Sequence, residues 1–193
     1  MEDKNIAFPG DIIAIEEEYL PGKNTEEYGG NIYATVMGKV YKDDKNLVVS
    51  IIAENKKIKP SVGSIVYGKV IKVINKEAII QISAVSLNNN IYPVNIESRL
   101  RLPVQNKNAY SHIITLGDMI RGRITGVKPL YLTIFSPNLG VLKTRCLVCR
   151  RELILRDDTL YCNNCQRSET RKIASDYGNI NILGGNNEGR RES

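Results

Sequence analysis

The chain has 193 residues, 42% hydrophobic and 25% charged, a globular composition rather than a disordered one. Its longest nearly apolar run, Leu47 to Ala53, is seven residues long. Spanning a bilayer with a helix takes about 20, so a transmembrane helix is excluded. The start, Met1-Glu2-Asp3-Lys4-Asn5, mixes both charges and leads into no apolar signal stretch, so a cytoplasmic protein is expected. The net charge of +6 hides opposites: −3 over residues 1–60, +7 over 61–143 and +2 over 144–193. Such asymmetry points to a polyanion partner for the middle and to a different partner for the start.

Strand signals dominate along the chain. Pro9-Gly10-Asp11 and Pro21-Gly22-Lys23 bracket Ile12 to Ile15. Gly29-Gly30-Asn31 introduces Ile32 to Val36, and Val40–Tyr41 and Leu47–Ile52 flank a polar turn. The pattern predicts three to five short strands in one small β unit over residues 1–60. A second unit over 61–140 runs through Ile65–Ile74, Glu77–Ala84, Ile91–Ile96, Met119–Val127 and Leu130–Phe135. An irregular stretch, Arg99 to Ser111, separates its third strand from its fourth. Five strands with the longest connection in that place match an OB barrel. A cysteine module over 141–175 follows, and 176–193, ending in a Gly/Asn-rich stretch, is expected to be a disordered tail. The fold class predicted is all-β.

Cys146-Leu147-Val148-Cys149 and Cys162-Asn163-Asn164-Cys165 are separated by twelve residues. Each Cys-x-x-Cys turn presents two thiolates, and a hairpin between them returns one knuckle to the other. Four thiolates close a tetrahedron around one zinc ion, with no position left open, so the zinc is expected to be structural. In the basic middle, alternation puts Ile120, Gly122 and Ile124 on one face of a strand and Arg121, Arg123 and Thr125 on the other. Two guanidinium groups about 7 Å apart on an exposed face suit adjacent phosphates. On the first barrel strand the same alternation turns Tyr67 and Lys69 outward. Arg99 and Arg101 begin the loop after strand three, and Lys72, Lys76 and Lys128 lie near strand ends. Lys69, Lys72, Lys76, Arg99, Arg101, Arg121, Arg123 and Lys128 are the candidate nucleic-acid contacts.

Three other features carry no site. Gly63 to Val70 nearly matches a phosphate-binding loop, but Val70 replaces the hydroxyl residue that binds Mg²⁺. His112 is the only histidine and has no nucleophile at recognisable spacing. Glu16-Glu17-Glu18 alternate between faces on a strand and read as a solvated end or a protein interface. No enzyme is predicted.

Taken in order, these motifs resemble the archaeal exosome RNA-binding cap subunits of the zinc-ribbon type. The likeness rests on Phe8-Pro9-Gly10-Asp11, Glu17 to Gly22, Gly30 to Ala34 and Gly38-Lys39-Val40. It continues through Val62-Gly63, Gly68-Lys69-Val70, Leu116-Gly117-Asp118 and Arg121 to Ile124. The most specific element is Ser136-Pro137-Asn138-Leu139-Gly140-Val141 leading into the first Cys-x-x-Cys. The resemblance implies an amino-terminal domain that docks on a ring of RNase-PH-like subunits, alongside other cap subunits. It implies an OB domain of the type named from ribosomal protein S-one that guides RNA, and a zinc ribbon that contacts proteins including a primase-like subunit. One departure is that the second barrel strand, Ala78-Ile79-Ile80-Gln81-Ile82, offers no aromatic for base stacking. The implied binding is therefore mostly electrostatic and strengthened by avidity. The alternative is a zinc-ribbon/OB transcription or translation factor.

Overall fold

The computed structural model describes residues 6–53, 58–74, 76–88, 90–102 and 113–179. No helix occurs among them. His112 and most of the expected tail lie outside the described residues.

The amino-terminal residues build seven short strands in two small sheets, more than the three to five expected. They are β1 (Ile6–Ala7), β2 (Ile12–Ile15), β3 (Leu20–Pro21), β4 (Thr25–Tyr28), β5 (Asn31–Ala34), β6 (Gly38–Asp43) and β7 (Val48–Ile52). One sheet runs β1-β6-β7-β3 and the other β2-β5-β4. Ile13, Ile32, Val49 and Ile51 fill the space between them. Of the three strands not foreseen, β1 and β3 are two residues long, too short for alternation to register in sequence, and β4 reads Thr-Glu-Glu-Tyr with no apolar alternation.

The middle of the chain closes into a barrel. Its strands are β8 (Ile65–Ile74), β9 (Glu77–Leu87), β10 (Asn90–Arg101), β11 (Met119–Val127) and β12 (Leu130–Thr133). They pair β8-β9-β10-β12-β11 and back to β8, with only β10 and β12 parallel. That order is the OB topology. Inward residues such as Val70, Ile80, Ile82, Leu100, Ile120, Ile124 and Leu132 form the main core. Each fully buried aliphatic side chain contributes about 1.5–3 kcal/mol. Closure of so small a barrel needs sharp bends, and the β8–β9 ladder slips at Tyr67/Gly68 and again at Val70/Lys72. At the first bend a Cβ on Gly68 would meet the Gln81 carbonyl oxygen at 2.5 Å, so only glycine fits.

The remaining strands are β13 (Gly140–Lys143), which pairs with the start of β11, and a hairpin sheet of β14 (Ile154–Arg156), β15 (Thr159–Cys162) and β16 (Arg167–Glu169). The β14–β15 turn has positive φ at both Asp157 and Asp158, the tight geometry whose twist suits a two-residue hairpin loop.

Alternation places Tyr67 outside the barrel, as expected, but that outer surface is covered at this end. Phe8 and Met37 of the amino-terminal unit, Leu142 of β13 and Ala174 pack around Tyr67, which is 2% exposed. The expected tail also begins too early. Asp176 pairs with Arg121, the Tyr177 hydroxyl donates to the Leu153 carbonyl, and the Gly178 amide donates to Leu142.

Candidate metal centre and nucleic-acid interface

The hairpin brings the two cysteine knuckles together. The four sulfurs all lie within 4.8 Å of one another, with Cys149–Cys162 at 3.4 Å and Cys146–Cys165 at 3.9 Å. A tetrahedron of thiolates at a zinc–sulfur distance of about 2.3 Å has edges of about 3.8 Å. A disulfide would need about 2 Å. Each knuckle aims a backbone amide at its first thiol, from the third residue in one and from the fourth in the other. The Val148 amide donates to Cys146 Sγ and the Cys165 amide to Cys162 Sγ, both at 3.4 Å. Arg150 and Gln166 then close back on the Cys146 and Cys162 carbonyls from left-handed backbone conformations. The donor set therefore fits a tetrahedral, sulfur-loving ion such as zinc. The Arg151 amide is the main cause that lowers Cys149 to about 6, and contact with Cys149 is the main cause that raises Cys165 to about 12. A bound dication would remove that conflict by stabilising all four thiolates.

A buried charged chain ties this centre to the barrel. Glu169 accepts from the Leu147 amide at 3.0 Å, inside the first knuckle, and pairs with Arg171 at 2.7 Å. Arg171 Nε in turn lies 3.3 Å from Asp118, at the foot of β11, and makes no hydrogen bond there. Asp118 also accepts from the Thr115 amide and hydroxyl and from the Thr144 hydroxyl. Burial pushes the Asp118 carboxyl up, against the opposing pull of those donors and of Arg171. Gly117-Asp118 reads in sequence as a turn before a strand; nothing local signals a partner more than fifty residues away.

The basic candidates divide. Arg121 is 6% exposed and does not lie on an open face. Its guanidinium meets Asp176 at 3.0 and 2.5 Å, donates to the Asn138 carbonyl at 2.8 Å and lies 5.7 Å from the Tyr67 ring centre. Tyr67 is its direct register partner on β8, so both residues are sealed by the same covering segment. The expectation that Arg121 meets adjacent phosphates together with Arg123 is corrected accordingly: the alternation is right, and the solvent is absent. Arg123, Lys69, Lys72, Lys76, Arg99, Arg101 and Lys128 are exposed.

Register gathers most of these around the far half of β10. Arg99 and Arg101 belong to that strand rather than to the loop after it. Arg99 faces Ile79, which faces Lys72 on β8, and on its other side Arg99 pairs with Tyr131. The Leu102 amide donates to the Lys76 carbonyl, which fixes the β8–β9 turn beside Arg101, while Lys128 sits in the β11–β12 turn. These two turns flank the binding face of an OB fold. Lys69 is two pairs further along the ladder, opposite Gln81, and Arg123 lies opposite Thr133. An aromatic absent from strand two is supplied elsewhere. Tyr131 on β12 lies beneath Arg101, 4.5 Å from its ring centre. No sequence signal places Tyr131 on this face, because it joins the face only through the parallel β10–β12 pairing. The one ion pair here among the described residues, Arg99–Glu77 at 3.9 Å, is exposed and worth about 0–1 kcal/mol.

Fold and site together define a class: an all-β protein that joins a small β unit, an OB barrel and a four-thiolate ribbon. Comparison with known proteins makes the placement particular. The exosome component Csl4 of Archaeoglobus fulgidus is 33% identical over 175 residues, covering 88% of this chain and 95% of that protein. The chain belongs to the family of Csl4 exosome components. The exosome component Rrp4 of Thermofilum pendens is 28% identical over 151 residues, 77% of this chain and 62% of that protein. The family described as "Exosome complex exonuclease RRP4 N-terminal region" matches residues 6–43. Both relatives are named as exosome components, which gives no support to the transcription- or translation-factor alternative.

Proposed function

We propose that this chain is a non-catalytic cap subunit of an archaeal exosome that collects RNA on its barrel and passes it to degrading ring subunits. The observation that carries the reading is the gathering of Lys72, Lys76, Arg99, Arg101 and Lys128 around one end of β10, beside Tyr131, in a member of this family. Guanidinium groups and ammonium groups on that face suit successive phosphates, with affinity dominated by counterion release. Residues 1–60, with their net negative charge, dock on the RNase-PH-like ring beside other cap subunits. Residues 61–140 meet RNA. Residues 141–175 hold one structural zinc through Cys146, Cys149, Cys162 and Cys165 and present the ribbon to proteins, a primase-like subunit among them. The setting is the cytoplasm.

The test is the assembled complex with Arg99→Glu and Arg101→Glu together. Degradation of single-stranded RNA is expected to slow while the variant still co-assembles with the ring. Unchanged degradation kinetics would remove this face from the RNA path.

A further inference from the structure

A groove of about 640 Å³ opens where the amino-terminal unit, the barrel and the cysteine module meet. Phe8 and Asp11 line one wall, Lys69 and Leu116 the second, and Arg145 and Arg150 the third. The volume falls in the range of ligand sites, roughly 300–1,000 Å³.

Its charge is lopsided. The single carboxylate, Asp11, is already held by Lys143 at 3.0 Å, and both side chains are nearly buried. Lys69, Arg145 and Arg150 are exposed, and none of them forms an ion pair among the described residues. Three uncompensated cations around one concavity concentrate an anion there. The backbone of the two arginines is also held by the cysteine knuckle. Arg145 directly precedes Cys146, and Arg150 follows Cys149 with its amide closed on the Cys146 carbonyl at 3.0 Å.

We infer that this groove is a second RNA-backbone site, in which Arg145 and Arg150 of the cysteine module take phosphates of a strand that leaves the barrel face at Lys69. The inference rests on the RNA reading of the barrel. Continuity favours it. Lys69 belongs to both surfaces, since it lines the groove and stands two pairs along the β8–β9 ladder from the row of Lys72, Ile79 and Arg99. The exposed side chains of Leu116 and Ile71 give bases an apolar surface beside the cations. Because the knuckle orients the arginines, this site forms only when the module is folded around its ion.

The experiment is fluorescence anisotropy with the full, zinc-loaded chain and single-stranded RNA oligomers of about 5 and about 16 nucleotides, the span of OB site sizes. Each phosphate contact to a single strand contributes about 0.7 to the slope of log affinity against log salt. Arg145→Ala with Arg150→Ala is expected to lower that slope by about 1.4 for the long oligomer, about a 25-fold loss at 0.1 M salt, and to leave the short one unchanged. Arg99→Glu with Arg101→Glu should weaken both. The variant Arg145→Lys with Arg150→Lys should restore the slope, which a purely structural role would not do. If the alanine pair leaves long-oligomer affinity and slope at the parent values, the groove is not an RNA site. The same holds if a polyglutamate peptide, and not RNA, responds to that pair. If only the barrel variant is silent, the barrel reading fails and the groove stands.

Discussion

Arg171 is the residue whose loss tests the coupling between ribbon and barrel most severely. Its side chain is 2% exposed and lies between Glu169 and Asp118, themselves 3% and 1% exposed. Arg171→Met keeps much of the aliphatic volume and removes the cation. Asp118 keeps three hydroxyl or amide donors, and Glu169 keeps the Leu147 amide, but the two buried carboxylates lose the charge that compensates them. Removing one partner of a buried ion pair costs about 3–5 kcal/mol. For a chain of this size each kcal/mol lowers Tm by about 2–4 °C, so a fall of roughly 10 °C is expected. Urea titration of the zinc-loaded protein measures the free energy, and competition with a chromophoric chelator measures how firmly the first knuckle holds its ion. Adding Asp118→Asn and Glu169→Gln to the Arg171→Met background should recover more than half of the loss, because no uncompensated charge then remains. A single-variant cost under about 1 kcal/mol, or a triple variant no more stable than the single one, would refute the reasoning.

Three further outcomes follow from the same contacts. Metal analysis should find about one zinc per chain, and chelation should erase hydrogen-exchange protection in β14–β16 while sparing β8–β12; protein that is folded, oxidised and metal-free would contradict this. Arg121→Glu sets a carboxylate against Asp176 in a covered site and should cost about 3–5 kcal/mol by urea unfolding, whereas the exposed Arg123→Glu should stay within about 0.5 kcal/mol. Gly140→Ala should cost about 2–5 kcal/mol in the same assay. Its φ is +128°, and a Cβ there would meet the Lys172 carbonyl oxygen at 2.3 Å, backbone that cannot swing aside.

That last position shows how much was legible in the sequence. Ser136 to Val141 is the most specific motif of the chain, and Gly140 explains why: the backbone of residues 172–173 packs directly against it, with Val141 bridged to Ile173. The barrel strands were legible because apolar residues recur on one face along most of β9 and over the first halves of β8 and β11, within strands nine to eleven residues long. The four-cysteine cluster was legible because the spacing of two Cys-x-x-Cys knuckles announces it, whatever the surrounding fold. What alternation could not reveal was a second covering layer. A period of two separates the faces of a strand, but it carries no information on whether the outer face meets water or another segment. Tyr67 and Arg121 were misplaced for that single reason, at one shared point of the β8–β11 ladder.

The same distinction changes the meaning of the charge of the middle region. Its +7 includes Arg121 and Lys143, and neither is available to a polyanion. Arg121 holds residue 176 to the barrel, while Lys143 reaches Asp11 of the amino-terminal unit at 3.0 Å and Glu152 of the cysteine module at 3.8 Å. Lys172 acts similarly without an acid, donating to the carbonyls of Ser136, Leu139 and Ile173. With Arg171, these four cations tie the units to one another. Long basic side chains suit the task, because the stem packs on apolar surface while the head satisfies carboxylates and carbonyls at a junction too polar for a hydrophobic core. The chain thus uses one residue class for two jobs that composition cannot separate. The cations that bind the units together are covered and hold carboxylates or carbonyls, and those proposed to meet RNA stand on the far half of β10 and at the rim of the groove. Reversing a charge in the first group should therefore be read in a folding assay, and in the second group in a salt titration.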